Sequence, residues 1–242
     1  MPLAGLARSL VPIVSRLSNS NRVPILCYVT DRQTLSKANE SDALEALSHK
    51  IEEAAAAGVD WIQIREKNLS GRDCAALTSA ALQRDARPSS MGSPTRILVN
   101  DRVDVALSQG AGGVHLGENS LPVEEARKLA DARMGASDFL IGVSCHSVET
   151  ATAAAQQGAD YIFFGPVFST PSKAAYGAPQ GLARLAEVCR AVSLPVVSIG
   201  GVTLDNAASC LSSGASGIAA IRLFQDAQDL ASLVQTLRTM RV

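Results

Sequence analysis

The chain has 242 residues, 47% of them hydrophobic and 19% charged, and a formal net charge of −1. That balance excludes a protein that coats nucleic acid or docks on membranes through a polybasic face. No apolar run approaches the ~20 residues of a membrane span. The length suits one large domain, since α/β barrels run to ~250 residues as single units.

Residues 1–23 carry Arg8, Arg16 and Arg22, no acid, and apolar residues at roughly helical spacing. This N-terminal extension fits an amphipathic helix covering one end of the domain at 24–242, in preference to a transit peptide. The first strand is expected over 25–30, running into Thr30-Asp31-Arg32. A helix over 42–57 ends in Gly58 and passes directly into a strand over 59–65, Val-Asp-Trp-Ile-Gln-Ile-Arg. That strand is apolar on both faces, as a buried parallel strand requires. Its end places Gln63, Arg65 and Lys67 at a spacing of two, hence on one side of an extended backbone. Desolvating two cations there needs an anion, and a phosphate or diphosphate ligand is the simplest one.

A helix over 70–84 and a surface loop over 84–95 lead to a strand over 96–100 ending in Asn100-Asp101. Next come a helix over 102–109, a strand over 113–116 and the polar run Glu118-Asn119-Ser120. A helix over 122–132 precedes a strand over 139–144, which delivers Ser144, Cys145 and His146. The segment 147–157 is helical and 160–165 is a strand; a loop over 169–180, with Thr170 and Lys173, reads as a lid. Helix 181–192, strand 195–199 with Gly200-Gly201, helix 204–213, strand 217–221 with Arg222, and helix 226–239 complete the chain.

Helix, glycine, strand recurs at Gly58, Gly110, Gly158 and Gly214. Glycine closes each helix in the left-handed conformation, and the alternation describes βα units in a parallel sheet. Eight strands and eight helices predict a single (β/α)8 TIM barrel. A doubly wound open sheet would need fewer strands and usually a glycine-rich turn after the first, where this chain has Thr30-Asp31-Arg32.

In such a barrel chemistry sits where the strands end, and nearly every strand delivers polar groups there. Plainer roles compete. Arg65-Glu66 could be a local ion pair on the rim. Asn100-Asp101 could be a turn or a helix N-cap. His115, between Val114 and Leu116, reads as a hydrogen-bonded core residue, so His146 is the better acid or base. Gly200-Gly201 after the seventh strand is where barrels often bind phosphate through backbone N–H groups. Cys27, Cys74, Cys145, Cys189 and Cys210 form no CxxC pair and read as reduced thiols of a cytoplasmic protein. Zinc-ligand spacing is absent.

Seven segments in order resemble the thiamin phosphate synthase/TenI family. They are Thr30-Asp31-Arg32, Gln63 to Lys67, Asn100 to Asp104, Gly113 to Gly117, Gly142 to His146, Phe164 to Lys173 and Ile199 to Thr203. The resemblance implies a transferase joining a hydroxymethylpyrimidine diphosphate to a thiazole phosphate and releasing diphosphate with Mg2+. It implies that Gln63, Arg65, Lys67, Asn100 and Lys173 hold the pyrimidine diphosphate, and that Ser144, Thr170 and Lys173 act near the reacting centre. Gly200 and Gly201 would grip the thiazole phosphate. Asp101 would bind Mg2+, with Ser120 where the synthases carry a second acid. Arg222 stands where they carry a small hydroxyl residue, and would either bind the thiazole phosphate more strongly or block it. Two further readings stay open: a TenI-like thiazole tautomerase acting through His146, and a non-catalytic regulator that binds thiazole phosphate or thiamin phosphate. The partners expected are small phosphorylated molecules, with no nucleic acid and no membrane; a homo-oligomer is left open.

Overall fold

The computed structural model describes residues 23–35, 40–84, 94–134, 138–170 and 178–240. The expected N-terminal helix lies outside them. Eight strands form a closed, all-parallel barrel in sequence order. They are β1 (Ile25–Val29), β2 (Trp61–Ile64), β3 (Arg96–Asn100), β4 (Gly113–Leu116), β5 (Leu140–Cys145), β6 (Tyr161–Phe164), β7 (Val196–Ile199) and β8 (Gly217–Ala220). Between them run α1 (Glu40–Ala57), α2 (Gly71–Arg84), α3 (Val103–Gln109), α4 (Val123–Met134), α5 (Val148–Gln156), α6 (Gly181–Ala191) and α7 (Leu204–Ser212). The short α8 (Arg222–Gln225) and α9 (Leu230–Thr239) follow β8. The expected final helix over 226–239 therefore begins at Leu230. The Asp229 carboxylate accepts from Ser232 N–H at 2.9 Å and starts α9 as a separate element. No helix among the described residues is long and apolar enough to cross a membrane.

The alternation within each strand sorts its side chains into two cores. Cys27, Val29, Trp61, Leu98, Leu140, Tyr161, Phe163, Val197 and Ala219 fill the barrel interior. Their neighbours of opposite parity, such as Ile62, Val99, Val114, Ile141, Ile162 and Ile218, pack outward against the helices. The same parity carries Gln63, Asn100, His115 and Ser144 inward near the strand ends, above the apolar interior layer.

The two halves of the barrel repeat one clamp. At β1 and β2, Asp60 accepts from Leu26 N–H at 2.7 Å, and Arg238 of α9 pairs with Asp60 and donates to Pro24 O and Gly58 O. At β5 and β6, Asp160 accepts from Ile141 N–H at 2.7 Å, and Arg127 of α4 pairs with Asp160 and donates to Phe139 O and Gly158 O. Gly113 faces the start of β5 as Gly217 faces the start of β1, and at either position a Cβ would collide with the backbone of the facing strand.

Candidate active site

Side chains from separate strands meet around one mouth, at the ends of the strands. Gln63 Nε2 donates to Asn100 Oδ1 at 3.0 Å, joining β2 to β3. Asn100 is in register with His115 on β4, and His115 Nε2 lies 2.9 Å from Ser144 Oγ on β5. His146, just past β5, is hydrogen-bonded through Nδ1 to the Gly165 carbonyl after β6. Gly165 abuts the end of β7, and Gly200 packs on Pro166 so closely that a Cβ would sit 2.5 Å from the proline Cα. On the far side, Gln225 of α8 binds the backbone of Asp31 and donates to Thr34 Oγ1 at 2.7 Å. Thr30 Oγ1 accepts from Arg65 N–H at 3.0 Å, which closes the ring back to β2.

Strand β2 ends at Ile64, so the alternation that aligns Gln63, Arg65 and Lys67 extends past the strand itself. Gln63 is buried, Arg65 is half-buried on the rim, and Lys67 is exposed in the following turn. Burial lowers the His115 pKa, and the Arg65 charge adds to that effect. The rim ion pair between Arg65 and Glu66 does not form. Glu66 is buried and pairs with Arg32 at 3.0 Å, accepting also from Thr30 Oγ1 at 2.6 Å. Among the described residues Arg65 therefore has no carboxylate partner, and neither does the exposed Arg222.

Asp101 does not cap a helix. Helix α3 starts at Val103 after Arg102, and Asp101 takes a left-handed conformation with φ 65°. A non-glycine residue there is strained by about 1 kcal/mol. Its carboxylate is exposed, and no side-chain hydrogen bond or ion pair engages it among the described residues. At the matching place after β7 the chain has Gly200 at φ 92°, followed by Gly201 at φ 66°. The N–H groups of Gly200 and Gly201 find no acceptor among the described residues, and the pair is wedged against Pro166, Phe168 and the Ser169 carbonyl. Backbone donors left open at a strand end are free to meet an anion.

Ser120 is placed differently from a metal ligand. Its Oγ accepts from Gly117 N–H at 2.7 Å and closes the turn after β4. The exposed carboxylate of that turn is Glu118, 3.9 Å from His146 Nε2. No group of three or more His, Cys, Asp or Glu side chains that could hold a metal occurs among the described residues. Thr170 is half-buried after β6; Lys173 and the centre of the expected lid, 171–177, lie outside the described residues. His146 does not cap α5; Ser147 does, in a reciprocal box with Thr150.

Sequence reasoning missed Tyr161, whose hydroxyl lies 3.1 Å from His115 Nδ1 inside the barrel. It also missed Glu66 and Gln225 as the supports of the rim. A signal for Tyr161 exists in the sequence: Gly142 in the middle of an otherwise bulky strand, where a Cβ would run into the Tyr161 ring.

Comparisons with known proteins agree with this geometry. Residues 26–224 match the thiamine monophosphate synthase family. A putative thiamine-phosphate synthase of Geobacter sulfurreducens is 44% identical over 196 residues, 81% of this chain and 84% of that protein. The thiamine-phosphate synthase of Methanoculleus marisnigri is 42% identical over 211 residues, 87% and 92% of the two chains. A solved thiamine phosphate pyrophosphorylase from Pyrococcus furiosus superposes with a TM-score of 0.72 at 32% identity, covering 89% of this chain and 94% of that one. FabK of Thermotoga maritima, 14% identical with a TM-score of 0.61, shares the barrel alone. With a family match from residue 26 to residue 224 and relatives more than 40% identical over most of the chain, the chain belongs to the thiamine monophosphate synthase family.

Proposed function

We propose that the protein joins hydroxymethylpyrimidine diphosphate to a thiazole phosphate, giving thiamin phosphate and diphosphate, in the cytoplasm. The observation that carries this reading is the pairing of two anion sites on one mouth. Arg65 stands without a carboxylate partner beside Gln63 and Asn100, and the open Gly200 and Gly201 donors lie near the end of β8, where Arg222 begins α8. Two anionic substrates and one polyanionic product suit such a mouth.

In the reaction the bond between the pyrimidine methylene carbon and its diphosphate oxygen breaks, and the diphosphate leaves with the electron pair. The thiazole nitrogen then attacks the methylene carbon, and the new C–N bond leaves the positive charge on the thiazolium ring. Gln63, Asn100, Arg65 and Lys67 bind and orient the diphosphate, and Arg65 stabilises the charge that develops on it. Lys173 and Thr170 complete that set from the loop after β6. Gly200, Gly201 and Arg222 hold the thiazole phosphate, and Ser144 contacts substrate between the two anion sites. The unpartnered carboxylate of Asp101, kept in a strained conformation, fits a hard cation. Asp101 would hold Mg2+ together with oxygens of the substrate phosphates, while the Ser120 hydroxyl is engaged by Gly117 N–H. Held there, the ion would supply positive charge to offset that of the diphosphate.

Diphosphate release from the two substrates, measured with and without Mg2+, tests the reading. Release that needs both substrates supports it; none at any Mg2+ concentration removes it.

One observation favours a second reading. A carbonyl oxygen can only accept, so His146 Nδ1 donates to Gly165, which leaves Nε2, 3.9 Å from the Glu118 carboxylate, as the ring nitrogen open to a substrate proton. That is the arrangement of a base, as a TenI-like thiazole tautomerase would use. Loss of proton exchange on a thiazole carboxylate phosphate in His146→Asn would support it, and unchanged exchange would end it.

A further inference from the structure

Tyr161, His115 and Ser144 form a row from the barrel interior to the mouth. Tyr161 Oη lies 3.1 Å from His115 Nδ1, and His115 Nε2 lies 2.9 Å from Ser144 Oγ. The first two are 1% and 2% exposed, while Ser144 is half-buried at the top of β5. Gly142 leaves room for the Tyr161 ring, and Phe163 packs on the imidazole with ring centroids 4.2 Å apart. The row is thus held from both sides.

The direction of its hydrogen bonds follows from counting protons. Burial pushes the His115 pKa down to about 3, with Arg65 adding to the effect, so the ring is neutral and carries one N–H. Burial raises the Tyr161 phenol well above its usual range, so it keeps its proton. Among the described residues that phenol has one partner, His115 Nδ1. If Nδ1 carried the imidazole proton, the phenol proton would face no acceptor in a buried place, at a cost of ~1–3 kcal/mol. Tyr161 therefore donates to Nδ1, the proton of His115 sits on Nε2, and Nε2–H donates to Ser144 Oγ. The hydroxyl proton of Ser144 is left to point away from the interior.

We propose that Tyr161 and His115 are positioning residues that fix the Ser144 hydroxyl as an outward hydrogen-bond donor to a phosphate oxygen of the substrate. The substrate half of this inference rests on the condensation reading above; the proton arrangement does not. A hydroxyl free to rotate spends part of its time as an acceptor, turned away from an anion. One locked from below is preorganised for the charge that grows as diphosphate leaves.

Long-range proton–nitrogen NMR of the 15N-labelled protein tests the arrangement without substrate. There are three histidines, His49, His115 and His146, so His115 is assignable by substitution. The expected result is a neutral Nε2–H tautomer for His115, mixed or reversed in Tyr161→Phe. A Nδ1–H tautomer in the unsubstituted protein would overturn the inference. A double-mutant cycle tests the consequence: Tyr161→Phe should lower kcat about tenfold with KM nearly unchanged, yet add no further loss in a Ser144→Ala background. A further tenfold loss in that background would mean that Tyr161 acts on folding rather than through Ser144, and would sink the proposal. His115→Gln, which can accept from Tyr161 and donate to Ser144, should retain more activity than His115→Leu. No condensation by the unsubstituted protein overturns the function reading and the substrate half of this one, whereas the wrong tautomer overturns this one alone.

Discussion

Arg32 and Glu66 meet at 3.0 Å in a buried ion pair directly beneath the rim that carries Arg65. Glu66 also takes the Thr30 hydroxyl, whose oxygen in turn holds Arg65 N–H. Breaking one partner of such a pair leaves a buried charge uncompensated. Glu66→Gln should therefore destabilise the protein by ~3 kcal/mol in urea unfolding and weaken diphosphate binding through the displaced Arg65 backbone. Arg65→Gln should leave stability nearly unchanged and raise the Kd for diphosphate at least ~tenfold, because no internal partner loses its charge. Equal stability losses in both variants would show that Arg65 is structural.

Asp101 offers the opposite trade. Asp101→Gly relieves the left-handed strain at φ 65°, and the thermal midpoint should hold or rise, by up to about 1 kcal/mol in stability. Mg2+-dependent diphosphate release should fall at least ~100-fold. Full activity in this variant would show that its carboxylate has no part in the chemistry.

Gly201 is constrained by conformation and by space, with φ 66° and a Cβ that would stand 2.5 Å from the Ser169 carbonyl oxygen. Gly201→Ala should cost ~1–3 kcal/mol and raise KM for the thiazole phosphate, leaving KM for the pyrimidine diphosphate little changed. An equal rise in both would show that the turn does not belong to one substrate.

Acid should expose the buried imidazole. The folded pKa of His115 is held down near 3 against an ordinary value of 6.5, so the unfolded chain binds a proton that the folded one refuses. The stability tied to this group is present above about pH 6.5 and is lost as pH falls from there toward 3. Between pH 7 and 5 it amounts to ~2 kcal/mol. Denaturant unfolding of His115→Gln over that range should show a pH slope shallower by that amount; identical slopes would mean that His115 titrates normally.

Much of the molecule could be read from the chain alone. Glycines at helix ends and apolar strands at regular spacing state a barrel directly, because each is a local demand of backbone geometry. That Asn100, Asp101 and the Gly200 turn stand at strand ends was legible for the same reason. What could not be read is pairing across the ring. Nothing near Glu66 announces that it turns from adjacent Arg65 to Arg32, or that Gln225 reaches Asp31 across 194 positions of sequence. His115 looked like a core residue and is one. Its link to Ser144 depends on Tyr161 on the next strand but one, a relation that only closure of the barrel creates.

The repeated arginine clamp has a consequence for how the circle is sealed. Arg238 ties the last helix to the first two strands with the same contacts that Arg127 makes in mid-chain. The helix that follows the last strand is anchored on the first two to the same plan as a helix in mid-chain.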